Sequence, residues 1–197
     1  MVRRAYYRLV MLTLFHDFTS PASAIAVARL QPLADEGLAV EFVGLEAIGV
    51  DVLLPVTVDV LADIDRLAPE AEQVGLTLNR PSALPPTALA HVVAEVADTQ
   101  AAQAAWRHAC YRAFWEDDAN IASPAILVDV AREAGLDPQA VQAALDDRGL
   151  LAEVRRRTGE RRRDGVGGVP TILAQRTLIP GLLPESQLRE LAALSNP

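Results

Sequence analysis

The apolar positions of the chain fall into blocks of different period. Leu9 to Phe15 is a short unbroken apolar run, which predicts a buried parallel strand. The run ends at Asp17-Phe18-Thr19-Ser20-Pro21. Ser20 has the chemistry of a helix N-cap, and Pro21 suits the first helical position because its missing N–H would have no partner there. Ala22 to Glu36 reads as a helix broken or kinked near Pro32 and stopped by Gly37. Leu38 to Leu45 is apolar again and predicts a second strand. The opening is therefore a strand–helix–strand unit whose tight turn holds Ser20 and Pro21.

From about residue 56 to 150 the pattern becomes helical, and Pro55, Pro69, Pro81, Pro85, Pro86 and Gly75 divide its first part. Helices are predicted over about Thr87 to Asp98 and over Gln100 to Trp115. Ser123-Pro124 repeats the cap arrangement and opens a helix over Ala125 to Ala134, ended by Gly135. Asp137-Pro138 opens another, closed by Gly149. An Arg-rich helix, Leu150 to Arg163, then leads through Gly165-Val-Gly-Gly168 into a strand from Val169 to Leu173. A second strand, about Arg176 to Ile179, is broken by Pro180-Gly181, and a last helix runs from Pro184 to Leu194. The expected organisation is one α/β unit from residues 8–55 and 151–197, with residues 56–150 as a helical insertion.

Composition narrows the function classes. Hydrophobic residues make up 51% of the 197 and aromatics only 5%, so the core must be built mainly from Ala, Val, Leu and Ile. All 18 basic residues are Arg, which reads as the coding bias of a GC-rich genome. A formal net charge of −8 weighs against nucleic acid or an anionic membrane as partner. The single Cys110 cannot form an internal disulfide, and no Cys/His cluster has zinc-ligand spacing, so no metal is expected. The Leu9–Phe15 run is far shorter than the roughly 20 residues a spanning helix needs. Three Arg precede it as in a signal peptide, but no small-residue cleavage site follows. A cytoplasmic bacterial protein is the expectation.

Two segments carry candidate chemistry together: Asp17-Phe18-Thr19-Ser20-Pro21-Ala22-Ser23 at a strand-to-helix turn, and Gly165-Val-Gly-Gly-Val-Pro170-Thr171, where a proline starts a strand. With Ala113-Phe-Trp-Glu-Asp-Asp-Ala-Asn-Ile-Ala-Ser-Pro124, Gly135-Leu-Asp137 and Ile179-Pro-Gly-Leu-Leu-Pro-Glu185, they resemble the DsbA-like branch of the thioredoxin superfamily over nearly the whole chain. The resemblance implies a thioredoxin-like fold with a helical insertion, and a cis Val169–Pro170 bond. That branch has Cys-Pro-x-Cys where this chain has Ser20-Pro21-Ala22-Ser23. Disulfide exchange needs a thiolate, and a serine alkoxide is not accessible near neutral pH, so dithiol chemistry is excluded at these positions.

The Ser-Pro-x-Ser form is similar to kappa-class glutathione transferases and 2-hydroxychromene-2-carboxylate isomerases. The resemblance implies that Ser20 holds the thiolate of a bound low-molecular-weight thiol, glutathione or a bacterial analogue, where a helix N-terminus favours negative charge. Val169 and Pro170 would orient that thiol's backbone, Pro21 would shape the site, and Ser23 or His16 would assist. The partners implied are the thiol and an organic substrate, with a homodimer expected from kappa-class relatives only. Ala22 stands where those relatives have an aromatic. Leu182-Leu183 falls where they have the pair that grips the γ-glutamyl end, which weighs against glutathione itself. The expected function is a thiol-cofactor-dependent transferase or isomerase; the alternative is a non-catalytic binding member of the DsbA-like family.

Plainer roles are available to each candidate. Ser20 as a helix cap alone is chemically sufficient. Asp17 reads equally as a turn acceptor, and His16, which alternation places on the face opposite Phe15 and Asp17, as a buried structural residue or a general base. His91 and His108 could face a cleft, Cys110 reads as a small apolar residue, and Phe114 and Trp115 as core or cleft lining. Arg155–157 and Arg161–163 read as a solvated face, and Arg66 and Asn79 as ligand contacts without specific support.

Overall fold

A computed structural model describes residues 12–194 and shows a four-stranded mixed sheet combined with eight helices. The elements in chain order are β1 (Leu12–His16), α1 (Pro21–Asp35), β2 (Val40–Gly44), α2 (Val58–Gln73), α3 (Ala88–Ala94), α4 (Gln100–Trp115), α5 (Pro124–Glu133), α6 (Pro138–Asp146), α7 (Arg148–Arg163), β3 (Thr171–Ala174), β4 (Thr177–Pro180) and α8 (Glu185–Leu194). The sheet order is β2-β1-β3-β4, with β1 parallel to β2 and antiparallel to β3. The α/β reading with a central helical block therefore holds. Leu9 to Met11 of the expected first strand lie outside the described residues.

Side chains of β1 alternate between two cores. Leu12 and Leu14 enter a large cluster with Leu30 and Leu33 of α1 and with Trp106, Tyr111, Phe114 and Trp115 of α4. Phe15 points the other way into a small cluster with Val43, Leu45 and Val166. The large cluster is continuous from the sheet through the helical block, so the two parts pack on shared apolar surface.

Several boundaries differ from the sequence expectation. Neither Pro32 nor Pro69 breaks its helix: α1 and α2 run through them. Each proline is flanked by buried anchors, Leu30 and Leu33 in α1 and Leu67 and Ala71 in α2, and that packing offsets one lost backbone hydrogen bond. Helix α3 stops at Ala94 rather than near Asp98, because Glu95 and Val96 donate to Val92 and Val93 in tighter i→i+3 bonds. Gly149 does not close α6. Asp147 is both the C-cap of α6 and the N-cap of α7, its Oδ1 accepting the N–H groups of Gly149 at 2.7 Å and Leu150 at 3.1 Å. Pro180 pairs with Thr171 as the last residue of β4 instead of breaking it.

The Arg-rich α7 is also more than a solvated face. Arg161 donates to the carbonyl of Gly44 at 3.0 Å, and Arg162 to those of Glu46 at 2.8 Å and Ala47 at 2.7 Å. Arg155 pairs with Asp51. Helix α7 thus ties down the loop that follows β2. No described helix is long and apolar enough to cross a membrane.

Arg162→Ala removes two charge-assisted donors at a partly exposed site, so it is expected to lower unfolding stability by about 1 kcal/mol. The exposed neighbour Arg163→Ala should stay within about 0.5 kcal/mol. Urea unfolding of the two variants reads the difference.

Candidate functional site

At the end of β1 the chain turns through Asp17-Phe18-Thr19-Ser20 into α1. The Ser20 N–H donates to the Asp17 carbonyl at 3.2 Å, and the Ser20 Oγ accepts the Ser23 N–H at 3.2 Å, which makes Ser20 the N-cap of α1. Its own O–H has no acceptor among the described residues. Ser20, Pro21 and Ala22 are half-buried, whereas Ser23 is fully buried. The Ser23 hydroxyl is turned inward, accepting the Asp17 N–H at 3.4 Å.

The other wall comes from the start of β3. Phe15 pairs with Thr171, so continuing the antiparallel register sets Pro170 opposite His16 and Val169 opposite Asp17. The Val169–Pro170 bond is cis. Pro170 is buried and its carbonyl accepts the Gly181 N–H at 2.9 Å, while Val169 packs half-buried beside Phe15. The fold thus brings Ser20, Pro21, Val169 and Pro170 to the same end of the sheet.

Beneath the turn lies a buried polar network. Asp17 is 1% exposed; its Oδ1 accepts the Phe18 N–H at 2.8 Å and His91 Nε2 at 3.1 Å, and its Oδ2 accepts the Ala47 N–H at 2.7 Å. Tyr111 Oη donates to the Asp17 carbonyl at 3.1 Å, and Trp115 Nε1 to the Phe18 carbonyl at 3.1 Å. Tyr111 and Trp115 are four residues apart on α4 and so share a face, which lets one helix hold two successive carbonyls. Burial, reinforced by Asp17, pushes the Tyr111 phenol well above its usual range, so it remains a proton donor.

His16 belongs to this network rather than to the turn's outer surface. It is 3% exposed, with Nδ1 3.0 Å from Tyr111 Oη. The one phenolic proton goes to the Asp17 carbonyl, so His16 Nδ1 carries the hydrogen of the shared bond. Alternation sends His16 inward with Leu14, as expected. Asp17 does not point the opposite way, because the strand has ended and the turn brings its carboxyl back to His91. The His91 ring packs against Gly44, where an added Cβ would lie 2.3 Å from Nδ1.

The remaining candidates divide plainly. Phe114 and Trp115 are core, Cys110 is fully buried with its pKa raised well above the usual thiol value by burial and by Asp17, and His108 is exposed. Arg66 pairs with Asp63, and Asn79 bonds the carbonyls of Trp115 and Glu116, so both have structural partners. Tyr111 and the Ala47 amide went unremarked in the sequence. The only signal for Tyr111 is its i, i+4 spacing to Trp115, two aromatics with polar handles.

Residues 11–193 match the family model of the DsbA-like thioredoxin domain. The chain belongs to the DsbA-like thioredoxin family. Among solved structures it is similar to a probable DsbA oxidoreductase from Streptomyces coelicolor, with a TM-score of 0.80 and 21% identity over 94% of this chain and 89% of that one. It is also similar to a 2-hydroxychromene-2-carboxylate isomerase, TM-score 0.73 and 21% identity over 93% of each chain. A third is the cytosolic disulfide reductase DsbM from Pseudomonas aeruginosa, solved with GSH, TM-score 0.65 and 20% identity over 94% of this chain and 96% of that one. At these identities the likeness shows the fold alone. Comparison with curated protein sequences finds no match.

In this DsbA-like chain the polar network has a pH signature. Burial, with His91 and Arg107 nearby, lowers the His16 pKa well below its ordinary value. The unfolded chain then binds a proton that the folded chain refuses, so stability falls as pH drops below about 6.5, by at most about 1.4 kcal/mol per pH unit. Urea unfolding between about pH 7 and about pH 5.5 should show this slope and His16→Gln should flatten it. Gly44→Ala is expected to cost about 1–3 kcal/mol in the same assay, since His91 must move to admit the methyl group.

Proposed function

We propose that this chain is a thiol-cofactor-dependent transferase or isomerase of the DsbA-like family, with Ser20 as the group that meets the thiol of a low-molecular-weight cofactor. The supporting observation is the state of the Ser20 hydroxyl: its oxygen is engaged by the Ser23 N–H, and its proton is uncommitted at the N-terminus of α1. A hydroxyl donor beside first-turn amides and the positive end of a helix favours an external thiolate over a thiol. The turn has no sulfur of its own, and Cys110 is buried in α4 with its thiol form favoured, so disulfide exchange has no nucleophile there.

The residues present fit a thiol at one end. Ser20 supplies the donor, the Val169–Pro170 segment lies at the same end of the sheet as the turn, and Ser23 holds the turn from behind rather than touching the ligand. Leu182 and Leu183 offer no charge for a γ-glutamyl group, which favours a bacterial analogue over glutathione. When bound, the cofactor supplies the nucleophilic sulfur that the chain lacks. The organic substrate would enter over the same turn, and the reading places the protein in the cytoplasm.

A second reading is favoured by the same hydrogen bond: Ser20 serves only as the cap of α1, in a binding member without chemistry. Thermal-shift and calorimetric titration with glutathione, mycothiol and bacillithiol separate the two. The enzyme reading expects saturable stabilisation by one thiol, abolished in Ser20→Ala. The variant itself should lose about 1 kcal/mol of stability as a cap. No response of the wild-type protein to any of the three thiols leaves the cap-only reading.

A further inference from the structure

Away from the serine turn, a cleft of about 820 Å³ opens along the edge strand β2. Its walls come from β2, the end of α1, and the facing sides of α3, α4 and α7, and His16, Phe18 and His91 form its floor. None of Ser20, Ser23, Val169 or Pro170 lines it. The volume falls in the range of sites for small organic ligands.

The unusual feature of its wall is Arg107 of α4. Its residue exposure is only 7%, and the guanidinium carbon lies over the Phe42 ring, 4.0 Å from the centroid. One Nη donates to Gln31 Oε1 at 2.8 Å, while Nε has no hydrogen-bond partner. Among the described residues Arg107 forms no ion pair. Burial lowers its pKa to about 10, so it still carries its charge near neutrality. A buried cation held by one neutral amide and a ring face is an incomplete arrangement. Arg161, on the α7 wall, is half-buried and also without an ion pair, donating only to the Gly44 carbonyl.

The carboxyl groups of the cleft act on these arginines only at longer range, Asp35 on Arg107 and Glu41 and Glu95 on Arg161, and their close contacts are with other groups. Asp35 accepts from Gln31 at 2.8 Å, Glu41 from Thr13 at 3.3 Å, and Glu95 pairs with Arg157 at 3.0 Å. Apolar surface runs beside the unpaired guanidinium groups, from Leu38, Phe42, Ala97, Ala101 and Ala104. We propose that the β2-edge cleft binds a small organic carboxylate, its two oxygens facing Arg107 and its hydrocarbon part lying along Phe42 and the alanines of α4. A planar carboxylate meets the guanidinium fork with two parallel bonds, which a point-like or cationic ligand does not.

Calorimetric titration at fixed ionic strength with benzoate, its neutral analogue benzamide, and inorganic phosphate tests the site. Saturable binding of benzoate with rejection of benzamide is expected, weakened roughly ten-fold or more by Arg107→Gln. Ala101→Trp, which narrows the cleft from an exposed position, should weaken benzoate too and keeps the test valid if Arg107→Gln fails to fold. Ser20→Ala should leave benzoate binding unchanged, which separates this site from the serine turn. The proposal is overturned by absence of saturable benzoate binding at millimolar concentration, by equal binding of benzamide, by phosphate binding in place of benzoate, or by indifference to Ala101→Trp.

Discussion

The turn that presents Ser20 depends on how the polar groups of Asp17 and Phe18 are satisfied. These residues follow the central strand directly, and both are almost completely buried. A buried carbonyl or carboxyl without partners costs more than most side-chain contacts return. Here the partners come from four places: the Phe18 amide itself, Ala47 after β2, His91 on α3, and Tyr111 and Trp115 on α4. The helical block therefore does more than cover the sheet. It supplies the donors without which the strand-to-helix turn would be left with unpaired oxygens in a dry interior.

The loop after β2 follows a different rule. Ile48, Val50, Val52 and Leu53 are exposed large apolar residues, so this segment gains little from core burial. Its order comes from cationic donors on α7 instead, Arg161 and Arg162 on backbone carbonyls and Arg155 on Asp51. Segments held this way open at lower free energy than packed strands and helices. The boundary between loop and core is sharp, since the Ala47 amide still reaches the buried Asp17.

Much of the architecture was readable from local signals, because apolar runs, Ser-Pro and Asp-Pro caps, and Gly stops agree with the tertiary structure at most elements. The misplaced boundaries are places where packing overrides a local rule. Pro32 and Pro69 ought to break helices, yet Leu30, Leu33, Leu67 and Ala71 hold them in register. Gly149 ought to end a helix, yet the Asp147 side chain starts a new one before it. Ser20 and Pro170 stood out because turn chemistry is local. The donors behind them did not, since nothing near Tyr111, His91 or Ala47 in the chain says that Asp17 is their partner.

Asp147 is a joint between two helices. It ends α6 and begins α7 with no residue in between, so its own dihedrals alone set the angle between the two helices. A helix advances about 100° per residue. Any insertion or deletion at this joint would therefore act as a gear, turning α7 about its axis and carrying Arg161 and Arg162 away from the carbonyls they hold. The chain returns from its helical block to the sheet through a coupling that has no slack, which ties the permitted length of the block to the position of a loop on the far side of the sheet edge.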